Sequence, residues 1–401
     1  MDQHSSIPKI VTIILVVAIL IGIGVAAMWW FLLRDTAPIR PPVQPGIGGP
    51  AVDIPFPDIT PAATDIPDEN VAVGPPGDLS QPILVQLTDF AIIGPSLNKD
   101  ETKILFYKKD GGDLISSAFD QPLHEQIANL TIIGLVDALW SPARDRAALF
   151  YTDQNALRSF LHIGESTIAT LPQNIITFSW SPNGKELAYL VRSEDSPQSS
   201  LAIAASSGNN QKTISTIPLV DADISWVTSA LISFQTKPSG LAPGSLYTFS
   251  RSTHLLNRAV GPLNGLQALW SQDGTLVMIA STNGKGQEPK LSIYDAKGDL
   301  KGQNNAVTLP EKCVWVAAKE LICGVAESLP AGAIFPDDYL RGEITTHDRL
   351  VLFDFTSKES SYLLSQSNFD ITHPIITKNK EYLFFINRAD GTLWSLRLKN
   401  K

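Results

Sequence analysis

Side chains able to do chemistry are few, and their spacing matches no standard catalytic set. The sequence contains no G-x-S-x-G nucleophile elbow and no H-E-x-x-H zinc motif. Its six histidines (His4, His124, His162, His254, His347, His373) follow no ligand spacing. Two cysteines exclude a four-cysteine zinc site. Cys313 and Cys323 flank one apolar segment, Cys313-Val-Trp-Val-Ala-Ala-Lys-Glu-Leu-Ile-Cys323. If it is a hairpin with a three-residue turn, they fall opposite each other within disulfide range; a one-residue slip leaves two buried thiols. Asn129-Leu-Thr131 fits the glycosylation sequon. No catalytic, cofactor-binding or metal-ligating residue is assigned, and no cofactor is expected. The binding candidates are Asp337, Asp338, Tyr339 and Arg341, inside an irregular stretch at 326–348. Their aromatic and charged character suits interface anchors. Pro336-Asp337-Asp338 followed by Gly342 also fits a single capped helical turn with a purely structural role.

The elements that must position these residues follow from composition. The chain has 401 residues, 31 Lys+Arg against 40 Asp+Glu, and a formal net charge of -9. Nucleic acid requires a basic footprint and is excluded as a partner. Residues 10–33 form an uncharged run between Lys9 and Arg34, with Trp29 and Trp30 near one end. As a helix it would reach roughly 36 Å, enough to cross a bilayer. The run is long for a cleaved signal peptide, and cutting after Ala27 would expose Met-Trp-Trp-Phe-Leu-Leu. Positive charges on the two sides nearly balance. The long C-terminal part is expected outside the cytoplasm, with a cytoplasmic interaction hub as the rival. Residues 34–82 hold 12 of the 28 prolines without hydrophobic periodicity, so a disordered, extended linker is expected.

Residues 83–401 repeat. The clearest unit runs from Phe178 to Tyr189 (Phe-Ser-Trp-Ser-Pro-Asn-Gly-Lys-Glu-Leu-Ala-Tyr). Anchors at Leu97, Trp140, Trp180, Trp226, Trp270, Trp315 and Ile376 are spaced 43, 40, 46, 44, 45 and 61 apart. Each unit reads as a strand ending at the anchor, a tight turn, a second apolar strand, a third after a polar loop, and a weaker fourth. Four short strands in about 45 residues is the blade pattern of a propeller. The expected fold class is all-β: a seven-bladed β-propeller at 83–401, behind a short tail (1–9), one transmembrane helix (10–33) and a Pro-rich linker (34–82). Its anchor tryptophans should wedge between blades. Ile83–Leu87 should pair beside Leu393–Leu398 and close the ring.

Trp180-Ser-Pro-Asn-Gly-Lys-Glu-Leu-Ala-Tyr189 resembles the TolB-type, WD40-like β-propeller repeat. That repeat is similar to those in the propeller domains of prolyl-oligopeptidase-like and dipeptidyl-peptidase-IV-like enzymes. Cys323-Gly-Val together with Pro336-Asp-Asp-Tyr339 resembles membrane-anchored bacterial propellers. The repeat is a folding motif, so the resemblance implies architecture and no chemistry. The peptidases carry an α/β-hydrolase domain, whereas this chain runs to Lys401 directly after the last strand, so no peptidase is expected. The expected function is a non-enzymatic binding or scaffolding module for a protein or cell-envelope ligand. It would be anchored in the bilayer through residues 10–33. The alternative is a propeller hydrolase or lyase acting on envelope polysaccharide or peptide, to be recognised by carboxylates of several blades converging at one channel mouth.

Overall fold

The computed structural model describes residues 83–154, 156–172, 174–192, 198–365 and 368–398. The expectations for 1–9, 10–33 and 34–82 lie outside the described residues. No helix among the described residues is long and apolar enough to cross a membrane.

Strand β1 (Ile83–Gln86) is followed by six antiparallel sheets' worth of short strands. The first sheet is β2 (Ile92–Leu97), β3 (Ile104–Lys108), β4 (Leu114–Ser117) and β5 (His124–Ala128). The second is β6 (Leu135–Trp140), β7 (Arg146–Asp153), β8 (Ala156–Ile163) and β9 (Thr167–Thr170). The third is β10 (Ile175–Trp180), β11 (Glu186–Arg192), β12 (Ser199–Ala205) and β13 (Lys212–Ile217). A seven-stranded sheet comes next: β14 (Ala222–Thr228), β15 (Leu231–Thr236), β16 (Pro243–Ser250), β17 (Leu256–Trp270), β18 (Leu276–Thr282), β19 (Lys290–Asp295) and β20 (Leu300–Asn304). The fifth is β21 (Cys313–Ala317), β22 (Glu320–Ala326), β23 (Asp348–Asp354) and β24 (Glu359–Leu364). The last joins β25 (Ile371–Ile376), β26 (Tyr382–Asn387) and β27 (Thr392–Arg397) to β1. Strand β17 explains the larger sheet. Its first part, to Asn264, pairs with β16, and the part from Asn264 to Trp270 pairs with β18. One strand thus ends one four-stranded unit and begins the next.

The repeat motif is legible in atomic terms. Ser181 Oγ donates to Asn183 at 2.8 Å and Glu186 N donates back to it at 2.9 Å, while Gly184 takes φ 68°. The serine ties both arms of the turn, and glycine alone adopts that backbone without cost. Ser271 with Asp273 and Thr377 with Asn379 repeat the device at 2.7 and 2.6 Å. Three of the five anchor tryptophans fasten neighbouring sheets through their indole N–H. Trp140 donates to Gly94 O at 2.7 Å, Trp180 to Leu139 O at 2.9 Å and Trp315 to Leu269 O at 3.1 Å. Cys313 and Cys323 are directly paired in register and bonded, Sγ–Sγ 2.09 Å.

Strand β1 pairs beside β27, as expected. Ile83 pairs with Arg397 and Gln86 with Trp394, Leu87 N donates to Leu393 O at 2.8 Å, and Leu87 is fully buried. A chain starting at Thr88 should therefore be less stable than one starting at Gln81. Loss of buried Leu87 alone is worth about 2 kcal/mol, and the freed edge of β27 adds to it. Thermal melts of the two chains give the comparison; coincident curves would show that this strand does not hold the ring.

Candidate functional site

The first strand of each unit lines the central bore, and several of these strands are bulged. Pairing slips between Leu135 and Asp137, Ile175 and Thr177, Asn264 and Gln267, and Thr372 and Ile375. A bulge re-aims the side chain that follows it. Counting three residues back from each repeat anchor gives Gly94, Asp137, Thr177, Asp223, Gln267, Lys312 and His373. Asp137, Thr177, Asp223 and Gln267 are paired at the same register from their anchors, whereas Gly94 and His373 fall within bulges and Lys312 lies in the turn before β21.

A cavity of about 440 Å³ opens beside two of them, Asp223 and Gln267, a volume suited to a small ligand or a few sugar units. Its lining brings together Leu139 of β6, Asp223 and Ser225 of β14, Ser233 and Gln235 of β15, and Gln267 and Trp270 of β17, with Glu311 just before β21. Trp270 Nε1 donates to Ser233 Oγ at 2.9 Å, and Ala268 N donates to Gln235 Oε1 at 2.6 Å, so the aromatic wall and one amide are fixed in place. The two carboxylates have unlike surroundings. Asp223 is ion-paired with Lys237 at the rim. Glu311 has no ion pair among the described residues, and its Oε1 is buried without a hydrogen-bond partner.

Glu311 is held by its neighbour. Lys312 closes the 3₁₀ turn Pro310–Lys312 and is fully buried. Its ammonium donates to Asp370 at 2.6 Å, Asp348 at 2.7 Å and Thr346 at 2.8 Å. Asp370 also accepts from Tyr339 Oη at 2.6 Å and Thr346 Oγ1 at 3.1 Å. Burial pushes the Asp370 carboxyl up, but the Lys312 charge and these donors outweigh it and hold it below the usual carboxylate range. Of the cations near the bore, Lys312 is thus turned into the protein.

This cluster corrects the reading of 326–348. Tyr339, expected as an exposed interface anchor, is fully buried, and burial with the nearby Asp370 charge raises its hydroxyl pKa. The Arg388 guanidinium lies 4.1 Å from its ring centroid. Asp337 and Asp338 belong to a single helical turn, α1 (Asp337–Leu340). Asp337 accepts from Ser239 Oγ at 2.9 Å and Gly240 N at 2.5 Å, tying α1 to the loop after β15. Asp338 accepts from Ile334 N at 2.7 Å and from Arg341, whose exposed side chain also reaches Glu343 at 2.7 Å. The structure brings these four residues together in and beside one helical turn, joined by Tyr339 to Asp370 and by Asp337 to the loop after β15.

Sequence reading did not single out Asp223, Glu311 or Asp137. Burial raises the Asp137 carboxyl above its ordinary range, with the His373 charge pulling the other way. Gly94 stands between those two positions and offers no side chain to separate them. The signal that could have found Asp137 and Asp223 is the fixed offset from the anchor, visible only once the anchor is known to end the bore strand.

The fold is therefore that of a β-propeller. The chain matches no protein-family model and no curated protein sequence. Among solved structures it is similar to an oligogalacturonate lyase from Vibrio parahaemolyticus at 12% identity, covering 78% of this chain and 93% of that one, with a TM-score of 0.55. An oligogalacturonate lyase in complex with manganese is similar at 12% identity, covering 79% and 93%, TM-score 0.56. The propeller domain of the Trilobed protease from Pyrococcus furiosus is similar at 11% identity, covering 78% and 98%, TM-score 0.52. The expectation of a non-enzymatic module, drawn from the absence of a catalytic motif, is corrected here: lyases are built on this same ring. Propeller catalysis needs no linear motif, because its groups come from different sheets. For a manganese centre the residues present do not fit, since no three His, Cys, Asp or Glu side chains gather among the described residues.

Proposed function

We propose that this protein is a seven-bladed propeller enzyme that hydrolyses a glycan in its central bore, held at the cell envelope by residues 10–33. The blade count takes the seven-stranded sheet as two units sharing β17. The observation that carries the function is the cavity holding Asp223 and Glu311, from different sheets, beside the Trp270 ring. Two carboxylates in unlike surroundings are how a site divides proton donation from proton acceptance. In this reading Glu311 gives its proton to the glycosidic oxygen as the C–O bond breaks. Asp223, beside Lys237, takes a proton from the water whose oxygen bonds to the anomeric carbon. Trp270 offers an apolar face to a sugar ring. The likeness to oligogalacturonate lyases supports glycan chemistry on this ring. Hydrolysis is preferred to elimination because abstraction next to a uronate carboxylate needs that carboxylate neutralised, and no Lys, Arg or His side chain lines the cavity.

The test is incubation of the full chain in detergent with neutral, amino and uronate oligosaccharides. New reducing ends without an unsaturated, ultraviolet-absorbing product are expected. An unsaturated product would replace hydrolysis by elimination, and no product from any glycan would remove the enzyme reading.

A further inference from the structure

We infer that one face of the ring, the face of the turns between first and second and between third and fourth strands, docks on an anionic lipid bilayer. This goes beyond the hydrolase reading and takes from it only the nearness of a membrane through residues 10–33. In an antiparallel unit whose strands follow one another outward from the bore, those two sets of turns share one face. The loops between second and third strands share the other with the connectors between units. Strand β1 is the outer strand of the last sheet and pairs antiparallel with β27, Ile83 opposite Arg397. Ile83 therefore lies at the first of these faces, and the 82 residues before it join the ring there.

The fourth strands begin on that face with a repeated pattern. Leu123, Ile168, Leu255, Leu300 and Ile83 each stand within one residue of the start of β5, β9, β17, β20 and β1. They are 37–62% exposed. A single exposed leucine needs no explanation, but five at equivalent places make an apolar rim that packing within the ring does not use. In the two remaining units the place is taken by Lys212, at the start of β13, and Lys358, just before β24, both exposed. Apolar side chains entering the headgroup layer, set between lysines that meet lipid phosphates, supply the two contributions to interfacial binding.

Charge selects this face over the other. Among the described residues its turns hold ten Lys or Arg against eight Asp or Glu, whereas the loops and connectors of the opposite face hold six against twelve. The opposite face also exposes apolar side chains, Ile133 and Leu241 among them, but its acidic residues would be repelled by anionic lipid. A chain of net charge -9 thus turns towards lipid the face that is not acidic, which is also the face its N-terminal residues join. The loops between second and third strands, with 327–347, then point away from the bilayer.

The experiment is reconstitution of the full chain in nanodiscs of phosphatidylcholine alone, or of two parts phosphatidylcholine to one part phosphatidylglycerol. Brief amine acylation is then read lysine by lysine in a mass spectrometer. Lys212, Lys297 and Lys358 should label several-fold more slowly in the anionic discs, and Lys109 and Lys285 of the opposite face should not change. Salt should relieve the protection. Leu123→Asp with Leu255→Asp, both at exposed positions, should remove most of it while the chain stays in the disc. Equal labelling of the two sets, protection of Lys109 and Lys285 instead, or protection unmoved by salt and by the double variant would overturn the inference and leave anchoring by 10–33 intact. A chain that does not stay in the discs would remove the anchor, and flotation with preformed vesicles of the same two compositions would then decide. Anionic-selective flotation lost in the double variant upholds the docking face; no flotation overturns it.

Discussion

Glu311→Gln is expected to lower kcat on the cleaved glycan by about 10²–10⁴-fold, the usual contribution of one positioned acid or base. Glutamine keeps the shape of the side chain and its hydrogen-bonding reach but cannot deliver a proton to the leaving oxygen. The ring should stay folded. Glu311 Oε1 has no partner to lose, and exchanging an unsatisfied buried carboxylate for a neutral amide carries little penalty. A drop in kcat with KM nearly constant, alongside an unchanged thermal melt, is the expected pattern. Wild-type turnover in the variant would take the acid role from Glu311. Asp223→Asn provides the companion measurement. Its pair with Lys237 is roughly half exposed and contributes little stability, so a large effect on turnover would also be chemical.

How much of this could be read from the amino acids depends on the range of the interaction. The Ser181-Pro-Asn-Gly184 turn and the alternating strands around it are local, so the repeat and its four-strand unit were legible. Closure by β1 was legible too, because a spare apolar strand before the first unit and a missing one after the last leave a single pairing. The disulfide was half legible: spacing placed Cys313 opposite Cys323, but the bond depended on a register that only the packed hairpin fixes. Tyr339 was misjudged for the opposite reason. An aromatic and charged loop in a 23-residue insertion reads as a surface feature, and nothing near it in sequence announces that Lys312 and Asp370, 27 and 31 positions away, will bury it. The site itself combines residues from Leu139 to Glu311. Their convergence is a property of the closed ring, and no spacing along the chain encodes it.

Lys312→Met should destabilise the propeller by about 3–5 kcal/mol at neutral pH, the usual result of removing one member of a buried charge cluster. The loss does not measure the worth of an ion pair. It measures the cost of leaving Asp348 and Asp370, both about 99–100% buried, without the ammonium that each contacts within 2.7 Å. Two consequences separate this account from simple loss of packing. Replacing the acids as well, with Asp348→Asn and Asp370→Asn in the Lys312→Met background, should recover part of the stability, since amides need no counterion. The second is the dependence on pH. In the native chain Asp370 is held below the unfolded value of about 3.9. Its stabilising contribution is therefore complete above that value and is lost as pH falls through the lower, folded one. Burial raises Asp348, which gives the opposite sign: it costs stability as pH rises from the unfolded value through the folded one. Without Lys312 both acids should take up protons more readily in the folded state. The gap between variant and native chain should then shrink as pH is lowered from 7 towards about 4. Denaturant melts at several pH values test this, and a gap that stays constant, or widens in acid, would mean that Lys312 supports the cluster of Tyr339, Asp348 and Asp370 through packing alone.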